Sequence, residues 1–278
     1  MADRPEYDYI VYERRGPIVV VTIDRPEVRN ALHNDAHREL QDAFARFAAD
    51  SDLAVAILTG AGDKAFCAGN DLKVTASRHR EMGGGPAVNP DRPAFGGITN
   101  DLHRTKPIIA AVNGLALGGG FELVLACDLA IASDEAVFGL PEVKRGLIAA
   151  AGGLHRLPRQ LPLKQAMGII LTGRQISAPE ALALGLINEV VSASEVMPAA
   201  LRWADQIIDG SGVSIELSMR TVLESLELPL DEALAGDRER IEWLRQFEDF
   251  YEGPRAFAER RKPVWTGRLL KQPDPTVA

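Results

Sequence analysis

The chain has 278 residues, of which 46% are hydrophobic and 25% are charged, and its formal net charge is −8. This length and composition are typical of a globular protein with one large core, or with a core and a smaller appendage. The acidic balance argues against a protein that binds nucleic acid through bulk charge, but a local basic patch still suits phosphate groups.

Two cysteines, Cys67 and Cys127, are too few for a disulfide framework, and both stand in apolar stretches. We therefore expect inert, buried thiols in a reducing compartment. The N-terminal residues are acidic and lack the apolar segment of a signal or transit peptide. The long apolar runs are broken by Asn and Gly, so no membrane span is expected. We predict a cytoplasmic protein that binds neither nucleic acid nor membrane.

The first part of the chain alternates strand and helix patterns. Residues 9–26 predict two short strands joined by a Gly-Pro turn, and helical spacing of apolar residues predicts a helix within 30–50. Apolar runs at 53–62 and 107–114 predict strands that are buried on both faces. Two further short strands are predicted within 129–143. The recurrence of strand, strand and helix predicts an α/β fold with a mostly parallel sheet.

After about residue 195 the strand patterns end, and four helical segments with charged faces follow. We therefore predict two regions: a sheet-containing core over 1–195, and an all-helical region over 196–278 that packs on the core or on a neighbouring subunit. Residues 74–97 are rich in Gly and Pro. That composition is typical of either a solvated loop or a mobile cover over a pocket.

Patterns of several other enzyme classes are incomplete or missing. Residues 59–65 read TGAGDKA, a weak match to a dinucleotide-binding fingerprint, but no long helix follows. Neither a G-x-S-x-G elbow nor a GxxxxGK[ST] loop occurs in the sequence. His33 and His37 lie four residues apart on a predicted helix without an obvious third ligand, so we expect exposed helix histidines and no metal site.

Three consecutive glycines, at 118–120, directly precede a helical pattern that contains Glu122. Such glycines leave backbone N–H groups bare at the positive end of a helix, which suits an oxygen that gains negative charge during a reaction. The alternative is that the glycines only permit close packing and that Glu122 complements the helix dipole. A second small-residue turn, 68–70, precedes Asp71, a suitable N-cap, so each turn has one N–H to offer the same oxygen.

A second acid, Glu142, follows Pro141 in an apolar setting, twenty residues after Glu122. Two carboxylates in a poorly solvated pocket have raised pKa values and are able to share water or protons. The alternative is an ordinary glutamate at the start of a helix, after a proline.

These motifs give the sequence a recognisable character. The segments AFCAGNDL, AAVNGLALGGGFELVLACDLAIAS and AVFGLPEVKRGLIAAAGG together resemble the enoyl-CoA hydratase/isomerase family, the crotonases. The resemblance runs from about Ile18 to the C-terminal FAERRKPVW. It implies a crotonase-like spiral of repeated ββα units with a C-terminal helical oligomerisation region that builds trimers, commonly paired into hexamers.

The resemblance implies the reversible syn addition of water to a 2-enoyl-CoA without a metal or redox cofactor. The N–H groups of Asn70 and Gly119 match the family's oxyanion hole for the thioester oxygen. Glu122 and Glu142 match the two acidic positions of the hydratases, Glu122 activating the water and Glu142 delivering a proton to the α-carbon. Contacts to the CoA thioester are implied for Val28, Arg29, Ala31, Lys64, Ala68, Asp71, Leu72, Lys73 and Arg260.

Three features leave the acyl group open. The family's frequent GxxPGAGG stretch reads GLIAAAGG here, the Gly/Pro-rich stretch at 83–97 is long, and RGLIAAAGGLHRLPRQLP resembles carnitinyl-CoA dehydratase-like proteins. The alternatives are therefore an isomerase, a carnitinyl-CoA dehydratase-like enzyme or a hydratase-lyase. A non-catalytic acyl-CoA-binding relative is disfavoured, because two buried acids are costly to desolvate in a protein that does not use them.

Overall fold

A computed structural model describes residues 6–81, 94–100 and 104–270. These residues form two compact units. The first unit holds 6–81, 94–100 and 107–204, and the second holds 104–106 and 205–270. Among the described residues, no helix has the length and apolar character needed to cross a bilayer.

The first unit contains ten strands in two sheets. In chain order they are β1 (Ile10–Arg15), β2 (Ile18–Ile23), β3 (Val55–Gly60), β4 (Ala65–Cys67), β5 (Ile108–Val112), β6 (Leu115–Leu117), β7 (Leu129–Ser133), β8 (Val137–Gly139), β9 (Gln175–Ser177) and β10 (Glu189–Val191). The larger sheet has the order β1-β2-β3-β5-β7-β10, and the smaller has the order β4-β6-β8-β9. Only the β1/β2 and β8/β9 pairs are antiparallel; the other pairs between these strands are parallel.

Eleven α-helices complete the two units. They are α1 (Asn34–Ala49), α2 (Leu72–Glu81), α3 (Gly119–Ala126), α4 (Gly153–Gln160), α5 (Leu163–Thr172), α6 (Ala178–Ala183), α7 (Val196–Ile208), α8 (Gly212–Ser225), α9 (Leu230–Ala235), α10 (Asp237–Leu244) and α11 (Glu248–Ala258). Short 3₁₀ turns lie at Pro26–Val28, Phe95–Gly97, Pro141–Arg145 and Ala193–Glu195.

The chain winds as a spiral in the first unit. One turn runs through β3 in the larger sheet, β4 in the smaller sheet and then α2, and the next turn repeats this course through β5, β6 and α3. Strands β3 and β5 are buried at every residue, because both faces of the larger sheet are covered. The mostly parallel α/β spiral is the fold class that the sequence predicts.

Several details differ from the sequence-based expectations. The three-residue strands β6, β9 and β10 carry too few residues for a strand pattern and are not predicted from the sequence. The third C-terminal helical segment, predicted over residues 230–248, is divided at Gly236 into α9 and α10. The last helix begins at Glu248, before the helical segment predicted over residues 253–262.

The prediction of exposed helix histidines was wrong for His37, whose side chain is 1% exposed. Its Nδ1 atom accepts a hydrogen bond from the Gly96 N–H at 3.0 Å. His33 is partly buried and is the N-cap of α1, where its Nδ1 atom accepts from the Ala36 N–H at 3.2 Å. Both histidines therefore hold local structure.

Candidate active site

The turn at Gly69 and Asn70 is fixed by a short parallel bridge to Leu32. The Leu32 N–H donates to the Gly69 carbonyl at 2.8 Å, and the Asp71 N–H donates to the Leu32 carbonyl at 2.9 Å. In such a bridge the backbone groups of the middle residue point to the opposite side. The Asn70 N–H accordingly points away from Leu32, and it has no acceptor among the described residues.

The second turn places the start of α3 beside the first. Gly118 has φ 56° and ψ −127°, a backbone conformation that needs glycine, and its N–H donates to the Gly139 carbonyl at 2.8 Å. Gly119 is the first residue of α3, so its N–H has no partner within the helix. A Cβ at Gly69, whose φ is +93°, would lie 2.8 Å from the Leu117 carbonyl oxygen and 3.1 Å from the Gly119 nitrogen. Only glycine permits this approach of the two turns.

Glu122 lies in the first turn of α3 and is 3% exposed. Its Oε1 atom accepts the Gly153 N–H at 2.8 Å, and the Ala151 N–H also favours the charged carboxylate. Burial raises the pKa of Glu122 to about 7, and the charge of Glu142 raises it further, while the two N–H groups and Arg156 oppose the shift. The side chain is therefore poised to exchange a proton near neutral pH.

Glu142 lies on the 3₁₀ turn Pro141–Arg145 and faces the start of α3. A Cβ at Gly118 would lie 3.0 Å from its Oε1 atom. The Oε2 atom is buried and has no hydrogen-bond partner in the part of the chain that the structure describes. Burial raises the pKa of Glu142, against the opposing effects of its own N–H and of Arg145. One unsatisfied carboxylate oxygen thus lies beside the glycine turn.

Phe95 is a site residue that the sequence analysis missed. Its ring packs on the Cα of Gly119, where a Cβ would overlap it, and it stacks on the His37 ring with centroids 4.5 Å apart. Phe95 lies near the end of the Gly/Pro-rich stretch at 83–97, of which residues 83–93 lie outside the described residues. An aromatic residue at the end of that stretch was the available signal.

The segments predicted to hold CoA run side by side. Val28 ends the turn Pro26–Val28, and the Ala68 N–H donates to the Arg29 carbonyl at 3.0 Å. Ala31 is buried next to the Leu32 bridge. An open pocket lies beside these segments and is lined by Pro26, Arg29, Asn30, Ala61, Gly62, Asp63, Lys64 and Ala65. Arg29 and Lys64 therefore share one pocket, in which Asp63 is an opposing charge.

The remaining predicted contacts are more dispersed. Asp71 is buried and forms an ion pair with Arg25 at 3.3 Å, and its Oδ1 atom accepts the Val74 N–H at 3.3 Å as the N-cap of α2. Leu72 and Lys73 are exposed in the first turn of α2. Arg260 is exposed in the second unit and has a left-handed backbone with φ 54°.

Groups suited to metal or thiol chemistry are not apparent in the described regions. Within them, no cluster of three or more His, Cys, Asp or Glu side chains has the arrangement of a metal site. Cys67 is fully buried, and burial raises the pKa of its thiol to about 12. Its thiol is therefore unreactive at neutral pH, as the sequence predicts.

Comparison with known proteins gives one consistent family. Residues 13–268 match the family model described as enoyl-CoA hydratase/isomerase. Carnitinyl-CoA dehydratases of Salmonella paratyphi A and Salmonella typhi are 40% identical over 259 residues, which cover 92% of this chain and 97% of theirs.

Solved structures agree with this match. An enoyl-CoA hydratase from Mycobacterium tuberculosis H37Rv has a TM-score of 0.85 and 40% identity, covering 94% of this chain and 99% of its own. A probable enoyl-CoA hydratase/isomerase from Mycobacterium abscessus has a TM-score of 0.83 and 42% identity, covering 95% of this chain and 100% of its own.

Proposed function

Because the chain belongs to the enoyl-CoA hydratase/isomerase family, we propose that it is an enoyl-CoA hydratase, a hydro-lyase that adds water reversibly, with syn geometry, to a 2-enoyl-CoA thioester. The product is a 3-hydroxyacyl-CoA. The observation that carries the proposal is the juxtaposition of two carboxylates, the buried Glu122 and the partly buried Glu142, with two backbone N–H groups that have no acceptor among the described residues.

In this proposal the N–H groups of Asn70 and Gly119 hold the thioester oxygen. They draw electron density from the β-carbon and stabilise the enolate that forms when water attacks it. One such donor contributes about 3–4 kcal/mol of transition-state stabilisation in comparable sites. The position of Gly119 at the start of α3 adds the positive end of the helix dipole.

Glu122 takes a proton from the attacking water, whose oxygen bonds to the β-carbon. Glu142 delivers a proton to the α-carbon of the enolate. The proton that Glu122 took from the water then passes to Glu142, so both side chains return to their starting protonation states. A carboxyl with a pKa of about 7 is a suitable base for this step, because both of its protonation states are populated at neutral pH. The chain itself supplies polarisation and proton transfer, so the reaction needs no metal or redox cofactor.

The CoA part of the substrate binds along the segments around residues 28–31 and 64–73. Val28 and Ala31 receive the adenine, with Ala68, Asp71 and Leu72 along the same edge. Arg29, Lys64 and Lys73 neutralise phosphates, and the part of Arg260 as a CoA contact stays a prediction. The support for this assignment is that Arg29 and Lys64 line one open pocket and that Lys73 is exposed and follows Lys64 closely in the chain.

The reaction class is tested by incubation in deuterated water with 2-enoyl-, 3-enoyl- and aryl-propenoyl-CoA thioesters, followed by mass spectrometry. A hydratase adds one D₂O to the 2-enoyl thioester and leaves one deuterium at the α-carbon. Bond migration without gain of water would identify an isomerase, and release of an aldehyde with acetyl-CoA would identify a hydratase-lyase.

A second candidate substrate is carnitinyl-CoA, because proteins named carnitinyl-CoA dehydratase are among the relatives of this chain. Dehydration of that thioester is the reverse of the same chemistry, on an acyl group that carries a quaternary ammonium. Comparing kcat/KM for carnitinyl-CoA and for 3-hydroxybutyryl-CoA in the direction of dehydration decides between them. A preference for the charged acyl group would assign the chain to the dehydratases.

We propose in addition that the protein is a cytoplasmic homotrimer or a dimer of trimers. The support is an apolar surface of the second unit formed by Leu230 and Leu234, which are 75% and 58% exposed and lie four residues apart on α9; Leu226, which precedes them in the chain, is 69% exposed. Large exposed apolar side chains on one helix face are typical of a surface that is buried against another subunit. Light scattering of the purified protein measures the assembly directly.

A further inference from the structure

The Arg156 side chain on α4 reaches back over Gly152, in the turn that directly precedes this helix. The backbone N–H of Arg156 donates to the Gly152 carbonyl at 2.8 Å, and its Nη2 atom donates to the Thr99 carbonyl at 2.7 Å. Gly152 has φ +103°, and a Cβ at Gly152 would occupy the place of the Arg156 Nη1 atom. The guanidinium therefore lies directly on the glycine of this turn and ties it to the segment that follows Phe95.

The same turn holds Glu122. Gly153, whose N–H donates to the Glu122 carboxylate, and Ala151, whose N–H favours the charge of that carboxylate, lie on either side of Gly152. A change in the conformation of this turn therefore moves both N–H groups at once. Arg156 is partly buried, so its charge is only incompletely screened by solvent.

We infer that Arg156 is a positioning residue: its guanidinium fixes the 151–153 turn, and with it the Gly153 N–H that holds the Glu122 carboxylate in place for the attack of water. This inference rests on the proposed hydration, because it assigns Glu122 the part of the base. An arginine suits the position better than a lysine, since its planar fork reaches the Thr99 carbonyl and the turn at the same time.

The charges around Glu122 act in opposite directions. The negative charge of Glu142 raises the pKa of Glu122, and the positive charge of Arg156 lowers it. The other ionisable groups on neighbouring described elements are the exposed His155 and Arg159 of α4, the exposed Lys144 and Arg145 of the Glu142 turn, and the buried thiol of Cys67 on β4. Loss of the Arg156 charge leaves burial and Glu142 less opposed, so the pKa of Glu122 rises.

The test is the pH profile of kcat/KM for hydration of a 2-enoyl-CoA by the full chain. Because Glu122 acts as a base, activity rises with pH along the acid limb. In Arg156→Gln we expect this limb to move measurably to higher pH, because a positive charge that favours the ionised carboxylate is lost. Arg156→Lys keeps the charge and is expected to keep the limb while kcat falls.

Arg159→Gln is the matched control, since it removes the same charge from an exposed position on the same helix. Its acid limb is expected to coincide with that of the wild type. A merely structural role for Arg156 would lower the melting temperature or kcat without moving the limb. An unmoved limb in a folded Arg156→Gln protein overturns the inference.

If Arg156→Gln does not fold, Gly152→Ala displaces the guanidinium by its new Cβ and should move the limb in the same direction, whereas Gly185→Ala, at a left-handed glycine in open space, should not. The infrared titration of the Glu122 carboxyl, identified by its loss in Glu122→Gln, gives the same shift without turnover. Wild-type protein that hydrates no 2-enoyl-CoA overturns the proposed function, and an unshifted infrared titration overturns the role of Arg156.

Discussion

The ring of Phe95 lies against the Cα of Gly119, so closely that any side chain at position 119 must displace it. Gly119→Ala keeps the backbone N–H but pushes the ring aside, whereas Gly119→Pro removes the N–H as well. We expect both single variants to lose activity. The double variant Gly119→Ala/Phe95→Ala should recover much of it, because the ring no longer obstructs the new Cβ.

The proline variant separates the hydrogen bond from the packing. Gly119→Pro/Phe95→Ala relieves the same overlap but still lacks the N–H, so kcat/KM should stay about 10²–10³ below the wild type, which is the usual cost of one oxyanion donor. Circular dichroism checks that each variant is folded. High activity in this double variant would remove the Gly119 N–H from the mechanism.

Replacement of either acid by its amide should abolish most turnover without loss of acyl-CoA affinity. Glutamine keeps the shape of Glu122 or Glu142 but cannot exchange a proton, so kcat is expected to fall by about 10²–10⁴. Isothermal titration with the 3-hydroxyacyl-CoA product should give a Kd within a few-fold of the wild type. Near-normal turnover in one variant would exclude that residue.

Asn70→Ala is the control for this series, since only the backbone of Asn70 is assigned a part in catalysis. Its side-chain Nδ2 donates to the Thr75 Oγ1 atom at 2.8 Å, within the start of α2. Loss of that bond costs about 1 kcal/mol of folding stability and leaves the N–H in place. A severe loss of kcat in a folded Asn70→Ala protein would indicate that the side chain contacts the substrate.

The raised pKa of Glu122 also predicts how stability changes with pH. The folded protein holds this proton with a pKa of about 7, against 4.5 for an ordinary glutamate, so the free energy of unfolding falls as pH rises through that interval. Glu122→Gln removes the free-energy cost of ionising this buried carboxyl at high pH. Relative to the wild type, the variant should therefore gain about 2–3 kcal/mol more at pH 8 than at pH 5. Urea unfolding of both proteins at the two pH values measures this difference. A difference in free energy of unfolding between variant and wild type that is the same at both pH values would contradict the prediction.

The sequence predicted the parts of this protein that depend on local patterns. The buried strands β3 and β5 and the glycine turn before α3 follow from composition within a few residues, and the predicted family, fold class and enzyme class are confirmed by the comparisons. The parts that long-range packing decides were missed. Phe95 reaches Gly119, and His37 becomes buried, through contacts between segments far apart in the chain.

The ion pair of Arg25 is likewise a long-range contact that local sequence patterns do not predict. Arg25 is 9% exposed and pairs with Asp71, 46 residues away, and nothing near Arg25 in the sequence indicates this partner. Asp71 itself was recognised as an N-cap, because capping depends on the next three residues. A contact between Asp71 and the substrate stays a prediction.

The Arg25–Asp71 pair gives a test of that prediction. Asp71→Ala leaves Arg25 buried without its counter-charge and is expected to cost about 3–5 kcal/mol of stability. Asp71→Asn keeps an oxygen for the Val74 N–H and should cost less. If the part of Asp71 is structural alone, KM for the acyl-CoA is unchanged in Asp71→Asn, and a large rise in KM would favour direct substrate contact.

The proposed assembly is tested on the apolar surface of the second unit. Helix α9 buries Ala233 and exposes Leu230 and Leu234, which lie four residues apart and hence on one face. Leu230→Lys places a charge on that face. If the face is buried between subunits, an unpaired charge there is costly to desolvate, and light scattering should show smaller species. Ala235→Lys adds the same charge to another exposed position of α9 and should leave the assembly intact. An unchanged oligomer in Leu230→Lys would place the subunit contacts elsewhere.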